Sequence, residues 1–393
     1  MFGFASTAQP AGSASRPLDP AAPAPAEPGR ADSAAVLPAF PWDTIEQFKL
    51  IAAAHPDGIV DLSVGAPVDP VPMPIRNALA DAADAPGYPQ THGTPALRQA
   101  YAGWLDRAHG VTIDPAAVLP TIGSKELVAS LPAQLGLGPG DTVVIPELAY
   151  PTYEVGVRMA GAELVRADSL TAIGPGRVAM IWINSPSNPT GKVLPPEHLA
   201  KIVSWARSRG VIVASDECYL DLGWDATPMS VLHPDVCGGD LTGLLALHSL
   251  SKRSNLAGYR LGFVSGDPAL VSRLLELRKH LGHIVPTPVQ AAGVAALTDD
   301  APVLVQRSRY LGRRTVLAEA FGRAGFSVEE STGGLYLWCT RGEAALDSVA
   351  YLAERGILVA PGTFYGPTGA QHVRAALTAT DERVAAAAAR LAA

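Results

Sequence analysis

Largely apolar runs punctuate the middle of the chain, at residues 141–146, 178–183, 211–215, 244–247 and 261–264. They do not alternate with polar positions, so strands built from them are expected to be covered on both faces. Around them the spacing changes to that of helices. Ile45, Phe48, Leu50 and Ile51 predict a helix over 43–54. A second is predicted over 95–108, and a third opens near Ser124 and carries Leu127, Val128 and Leu131. A long amphipathic stretch over 289–319 also reads as helical. Short strands are expected at 59–64, 333–338, 356–361 and 372–377. Strands interleaved with helices indicate an α/β fold. The last three strands read as a smaller domain, entered after Pro286 and Pro288.

Composition narrows the picture. Residues 1–35 are rich in Ala, Pro and Ser without periodicity, which predicts a disordered tail. The 393 residues allow a large core and more than one domain. No apolar run is long enough to span a bilayer, and the N-terminus lacks the basic start and apolar core of a secretory signal. A formal charge of −7 argues against nucleic acid and anionic membranes as partners. Cys218, Cys237 and Cys339 show neither metal nor redox spacing and read as reduced cysteines of a cytoplasmic protein. No HExxH is present, and His280 and His283 read as helix-surface positions, so no metal is expected. There is no internal repeat and no helix-turn-helix pattern.

Candidate chemistry collects where the apolar runs end. The run 244–247 leads into Ser249-Leu250-Ser251-Lys252, and 261–264 leads away, so the segment reads as strand, loop, strand. Open α/β sheets hold their ligands at strand ends. Of 30 basic residues only six are lysine and 24 arginine, so a lysine in such a loop stands out. Lysine, unlike arginine, can lose its proton when desolvated and attack a carbonyl to form a Schiff base. Asp216 ends the run 211–215, where a carboxylate is costly to bury without a cationic partner. Gly123 followed by a helix start at Ser124 and Lys125 makes a ready phosphate site. Gly191-Lys192 is not the tail of a P-loop, because Pro186 stands five before Gly191 and no Ser or Thr follows Lys192.

Ser249, Ser251 and Lys252, with Arg260 eight residues on, resemble the lysine loop of fold-type-I, pyridoxal-phosphate (PLP)-dependent aminotransferases of class I/II. Asn184-Ser185-Pro186-Ser187-Asn188-Pro189-Thr190-Gly191 resembles that family's N-x-P-x-N-P-T-G loop in full. The intervals Asn188 to Asp216 (28), Asp216 to Tyr219 (3), Tyr219 to Lys252 (33) and Lys252 to Arg260 (8) match the aspartate-type pattern. The resemblance implies an α/β fold: a large domain with a mostly parallel seven-stranded sheet between helices, plus a smaller α+β domain. The corresponding boundaries are a tail over 1–35, an arm and part of the small domain over 36–75, a PLP-binding domain over 76–284 and a C-terminal domain over 285–393.

By the same resemblance, pyridoxal 5′-phosphate is the cofactor. Lys252 holds its aldehyde and shuttles the substrate's α-proton, Asp216 pairs with the ring nitrogen, and Tyr219 and Asn188 bind the 3′-oxygen. Its phosphate falls to Gly123, Ser124, Lys125, Ser249 and Arg260, with Tyr88 reaching in from the partner of a homodimer. Tyr150 stacks on the ring, a place Tyr153 could also fill. Gly65 lies in the substrate pocket, where its backbone can approach a carboxylate, although a plain strand-end turn explains it almost as well. Arg374 makes a bidentate pair with the α-carboxylate, aided by Asn188.

The whole chain from about residue 37 resembles N-succinyldiaminopimelate aminotransferases of the lysine and diaminopimelate route. The segments that carry this likeness begin at Leu37, His55, Tyr88, Gly123 and Lys279. The resemblance implies glutamate and 2-oxoglutarate as the second pair, with Lys125 and Arg253 as candidates for the distal carboxylates. His92 departs from that pattern at the pocket rim. Aminotransferases for methionine, aromatic or kynurenine substrates, and a PLP lyase on the same fold, are the alternatives. A PLP-sensing transcription regulator would need a DNA-binding domain ahead of this module, which a Pro/Ala-rich tail does not form.

Overall fold

The computed structural model describes residues 37–38, 40–174 and 176–392; the tail expected over 1–35 lies outside them. Its first strand, β1 (Val60–Asp61), joins a late strand described below. Each of the five apolar runs becomes a strand of one seven-stranded sheet. That sheet holds β2 (Val118–Ile122), β3 (Thr142–Ile145), β4 (Glu163–Arg166), β5 (Val178–Asn184), β6 (Ile212–Asp216), β7 (Leu244–Ser249) and β8 (Leu261–Gly266), in the order β2-β8-β7-β6-β5-β3-β4. Pairing is parallel from β7 through to β4, and only β8 runs against its neighbours. The sheet is therefore mostly parallel, and both faces are covered. Along β5, Met180 and Trp182 enter one apolar core while Ile181 and Ile183 enter the other.

This topology fixes the site. The carboxyl ends of β5, β6 and β7 lie side by side, with Asn184 in register with Asp216. Ser249 closes β7, and a single helical turn, Leu250–Arg253, follows where the sequence predicts a loop.

A second, antiparallel sheet is built by β9 (Ser327–Glu329), β10 (Tyr336–Thr340), β12 (Ala360–Pro361) and β13 (His372–Ala376), in the order β12-β13-β10-β9. β11 (Ile357–Leu358) pairs instead with β1. The Leu62 carbonyl also accepts from the Ala376 amide at 2.8 Å, so residues 60–62 are stitched to the C-terminal strands. β10 starts at Tyr336 rather than near 333. Gly333 and Gly334 instead donate their amides to the carbonyls of Gly191 and Leu222, and a Cβ on Gly333 would lie 2.8 Å from Val193 Cγ2.

The helical stretch expected over 289–319 is two helices, Thr287–Thr298 and Ala301–Arg323. Asp299 is extended between them, and its carboxylate accepts from the Ala301 amide at 2.9 Å. The first helix buries Ala292, Ala296 and Leu297 in the core of the large sheet. The second buries Tyr310, Leu317, Ala320 and Phe321 with the C-terminal strands. The change of core thus falls at Asp299–Asp300. Close packing explains why the small-residue helix stays with the large sheet: a Cβ on Gly293 would lie 2.9 Å from Leu97 Cδ1.

Candidate active site

Asp216 is 6% exposed at the end of β6. Its Oδ2 accepts from the Tyr153 hydroxyl at 2.9 Å and its Oδ1 from the Cys218 amide at 3.2 Å. Burial raises its carboxyl above the usual range, outweighing those hydrogen bonds and the nearby His248. Neither hydrogen-bond partner is a cation, so the site favours a positively charged ligand atom. Asn184 holds the neighbouring loop in place. It donates to the Asp216 carbonyl at 2.9 Å and accepts from the Asn188 amide at 2.7 Å.

Lys252, on the turn after β7, donates from Nζ to the Gly65 carbonyl. Arg374 comes from β13 and is 2% exposed. It donates from Nη1 to Asn188 Oδ1 at 2.7 Å and from Nη2 to the Ser63 carbonyl at 2.6 Å. Its guanidinium lies 3.9 Å above the Tyr336 ring and 4.9 Å from that of Tyr365. The Tyr336 hydroxyl in turn sits 3.1 Å from that of Tyr219. Lys252, Asn188, Tyr219 and Arg374 are thereby linked through Gly65, Ser63 and Tyr336 into one connected cluster.

At the other side Gly123 adopts φ +71° and starts the helix Ser124–Gln134. A Cβ there would lie 2.8 Å from Arg260 Cζ, so glycine lets the guanidinium approach the helix start. Arg260 itself is left-handed, at φ 56°. Ser249 Oγ accepts from the Ser251 amide at 3.2 Å, and Ser124 Oγ lies 3.3 Å from Cys218 Sγ. Free amides at a helix start beside a guanidinium form an anion site. Lys125 is exposed next to it. The Tyr153 ring is fully buried and stacks on Trp182 at 4.8 Å, whereas Tyr150 is half-buried and meets Tyr153 edge-on at 5.8 Å.

Two sequence candidates stand apart. Tyr88 is fully exposed. Arg253 is 3% exposed and not free for a substrate, because Asp221 at 3.2 Å and Asp300 at 2.9 Å pair with it and its guanidinium covers Trp104. Tyr336, Tyr365 and Ser63 enter the pocket unannounced by the sequence. The one available signal was that a tyrosine buried in a strand needs a partner for its hydroxyl.

Comparison with known proteins decides the family. Residues 57–391 match Aminotransferase class I and II. The chain belongs to that family. A Mycobacterium tuberculosis protein named probable aminotransferase is 64% identical over 93% of this chain and 88% of its own length. The 4-dedimethylamino-4-oxo-anhydrotetracycline transaminase OxyQ of Streptomyces rimosus is 61% identical over 90% of this chain and 99% of its own. Among solved structures, a probable N-succinyldiaminopimelate aminotransferase of Thermus thermophilus superposes with a TM-score of 0.82, at 31% identity over 90% of this chain and 99% of that one.

Class I and II aminotransferases are PLP-dependent, and the residues of this aminotransferase fit that group. The anion site at Gly123 and Arg260 suits a phosphate, and Asp216 suits a protonated ring nitrogen. The primary amine of Lys252 suits an aldehyde.

Gly65 carries a testable requirement. A Cβ there would lie 2.7 Å from Tyr336 Cζ and closer still to its hydroxyl. Gly65→Ala is expected to push Tyr336 off Tyr219 and to disturb the carbonyl that Lys252 reaches. We expect kcat/KM to fall by about ten- to a hundredfold with the fold retained, the range for about 1–3 kcal/mol of overpacking. Steady-state kinetics alongside a thermal melt checks this, and unchanged kinetics would show that Gly65 is only a turn residue.

Proposed function

We propose that this aminotransferase moves the amino group of N-succinyl-LL-2,6-diaminopimelate to 2-oxoglutarate, yielding N-succinyl-2-amino-6-oxopimelate and glutamate in diaminopimelate and lysine biosynthesis. The observation that carries the substrate class is Arg374, buried, held in place by Asn188 and Ser63 and packed over the rings of Tyr336 and Tyr365, as a seat for an α-carboxylate. The succinylated substrate is supported by the segments noted in the sequence and by the name of the Thermus neighbour. The exposed Lys125 remains available for a distal carboxylate.

When bound, pyridoxal phosphate carries the amino group and accepts the electrons of the substrate's Cα. The protein's own part is positioning and proton transfer. Lys252 Nζ would hold the cofactor's aldehyde and, as a free amine, would take the proton from the substrate Cα and pass it to the cofactor carbon, the second half-reaction running the same transfer in reverse. Asp216 keeps the ring nitrogen protonated. Tyr219 donates to the 3′-oxygen, joined there by the Asn188 amide, and Arg374 orients the Cα–H bond by fixing the carboxylate. Phosphate contacts come from Gly123, Ser124 and Lys125 backbone amides with Ser249 and Arg260. Tyr150 rather than Tyr153 stacks on the ring, since the Tyr153 ring is already on Trp182 and its hydroxyl on Asp216. The enzyme acts as a cytoplasmic homodimer in which the exposed Tyr88 reaches the partner's phosphate.

A second reading follows from the 61% identity to OxyQ, whose name specifies a ketone on a fused-ring acceptor. Glutamate exchange measured across N-succinyl-diaminopimelate, methionine, kynurenine, phenylalanine and a bulky cyclic ketone separates the two. We expect the succinylated compound to lead by at least about tenfold in kcat/KM, a difference of about 1.4 kcal/mol. Equal or better turnover of the others would overturn the lysine-route assignment and leave the transaminase chemistry standing.

A further inference from the structure

The contact between Tyr219 and Tyr336 leaves one question of chemistry open. Their hydroxyl oxygens are 3.1 Å apart, and either could be the donor. The surroundings are not symmetrical. Tyr336 lies on β10 opposite Ala376, on the same face as Arg374 two residues along β13. The Arg374 guanidinium rests 3.9 Å above its ring. Its hydroxyl lies against Gly65, whose carbonyl receives the Lys252 ammonium. Two cations thus flank Tyr336. The strongest influences on Tyr219 come from Tyr336, Cys218 and Asp216, none of them cationic, and Arg374 acts on it as well as on Tyr336, whose ring it covers.

We propose that Tyr336 is a positioning residue, which donates its phenolic proton to the Tyr219 oxygen and thereby turns the Tyr219 hydroxyl toward the bound cofactor. A cation over a phenol ring stabilises negative charge on its oxygen and makes its O–H the stronger donor. In the cofactor-free protein the Lys252 amine adds to this bias, and in the holoenzyme, where its nitrogen holds the aldehyde, Arg374 supplies it. Acidity follows the same asymmetry. Burial raises the Tyr336 phenol, but Arg374, Lys252 and the Tyr219 contact outweigh it and hold it below the ordinary tyrosine value. Burial first, then Tyr336 itself, pushes Tyr219 far up. The other groups facing Tyr336 are the Cys218 thiol and the phenols of Tyr150, Tyr310 and Tyr365, which oppose its ionisation rather than drive it. Hydrogen bonds in a chain reinforce one another, so a proton received from Tyr336 strengthens the one Tyr219 gives. Gly65 is the residue that leaves room for this arrangement.

The inference rests on the proposed contact of Tyr219 with the cofactor's 3′-oxygen, and its test separates the two. The readout is the pH midpoint of the holoenzyme's visible absorbance. A hydrogen bond to the 3′-oxygen favours its anionic form, so weakening that bond raises the midpoint. Tyr336→Phe keeps the ring beneath Arg374 and is expected to raise the midpoint by about half a pH unit. Tyr219→Phe is expected to raise it further, and the double variant to match Tyr219→Phe alone, because Tyr336 acts only through Tyr219. An unmoved midpoint in Tyr336→Phe overturns the proposal, as does an equal shift in the Tyr219→Phe background.

In the cofactor-free protein, phenol ionisation followed by ultraviolet difference absorbance gives an independent reading. One early-titrating tyrosine is expected, and Tyr336→Phe should remove it. Its persistence in that variant overturns the direction of donation. Its loss, combined with an unmoved midpoint in Tyr219→Phe, overturns the cofactor contact of Tyr219 and leaves the direction standing.

Discussion

Replacing Lys252 with alanine is expected to abolish the visible absorbance of the bound cofactor and to reduce transamination by at least about 10⁴-fold. Two functions leave with one side chain: the amine that joins the aldehyde, and the base that moves the α-proton. No neighbour replaces either. Arg253, one residue on, has a buried guanidinium committed to Asp221 and Asp300, and guanidinium does not give up its proton in a protein. The fold should survive, because among the described residues Lys252 Nζ makes one hydrogen bond, to the Gly65 carbonyl, and one such bond contributes about 1 kcal/mol. Absorbance spectra, single-turnover kinetics and a thermal melt together check this. Turnover that persists in Lys252→Ala would remove the Schiff-base assignment.

Asp216→Asn is the second large effect. The change is isosteric, and the amide can still meet the Tyr153 hydroxyl and the Cys218 amide. What it loses is the charge opposite a protonated ring nitrogen. Unpairing one half of a buried ion pair costs about 3–5 kcal/mol, or about 10²–10⁴ in rate if expressed in the transition state. Stability should move in the opposite direction in the cofactor-free protein. Burial raises the folded-state pKa of Asp216 above its unfolded value. A carboxyl shifted in that direction contributes its stability at pH below the unfolded pKa and loses it as pH rises through the folded pKa. At any pH above its folded-state pKa, Asp216 is therefore a burden on the empty site. Cofactor-free Asp216→Asn is expected to melt at or above the wild-type temperature, while its holoenzyme gains less from added cofactor. A cofactor-free variant that melts well below wild type, or one with near-normal turnover, would show that Asp216 serves structure rather than the ring nitrogen.

The chain's own pattern was enough for the large sheet and for the ends of its strands. Runs without alternation at 178–183, 211–215 and 244–247 read as strands covered on both faces, and they become β5, β6 and β7. Asn188, Asp216 and Lys252 follow those runs within a few residues, so local order brings them together as soon as the three strands pair. The break in the long helical stretch was harder to see. Pro302 and the paired aspartates Asp299 and Asp300 were present, but the change of core between the two helices depends on which sheet each one meets.

Tertiary structure alone decided the connections around Arg374 and Lys252. Arg374 reaches the Ser63 carbonyl across 311 residues, Lys252 reaches Gly65 across 187, and Tyr219 meets Tyr336 across 117. The contacts of Ser63 and Gly65 depend on β1 pairing with β11 and on Leu62 joining β13, and no periodicity within a segment encodes such a pairing. The same holds for choices between like residues. Tyr150 and Tyr153 are equivalent as letters, and packing on Trp182 separates them. Arg253 and Arg374 carry the same charge. Asp221 and Asp300 lie against the first, while the second faces phenols, an amide oxygen and a carbonyl that leave its charge to a ligand. Sequence supplies the chemical groups and their order along the strands. Which charge is neutralised, and which is left facing the pocket, follows from what long-range packing places beside it.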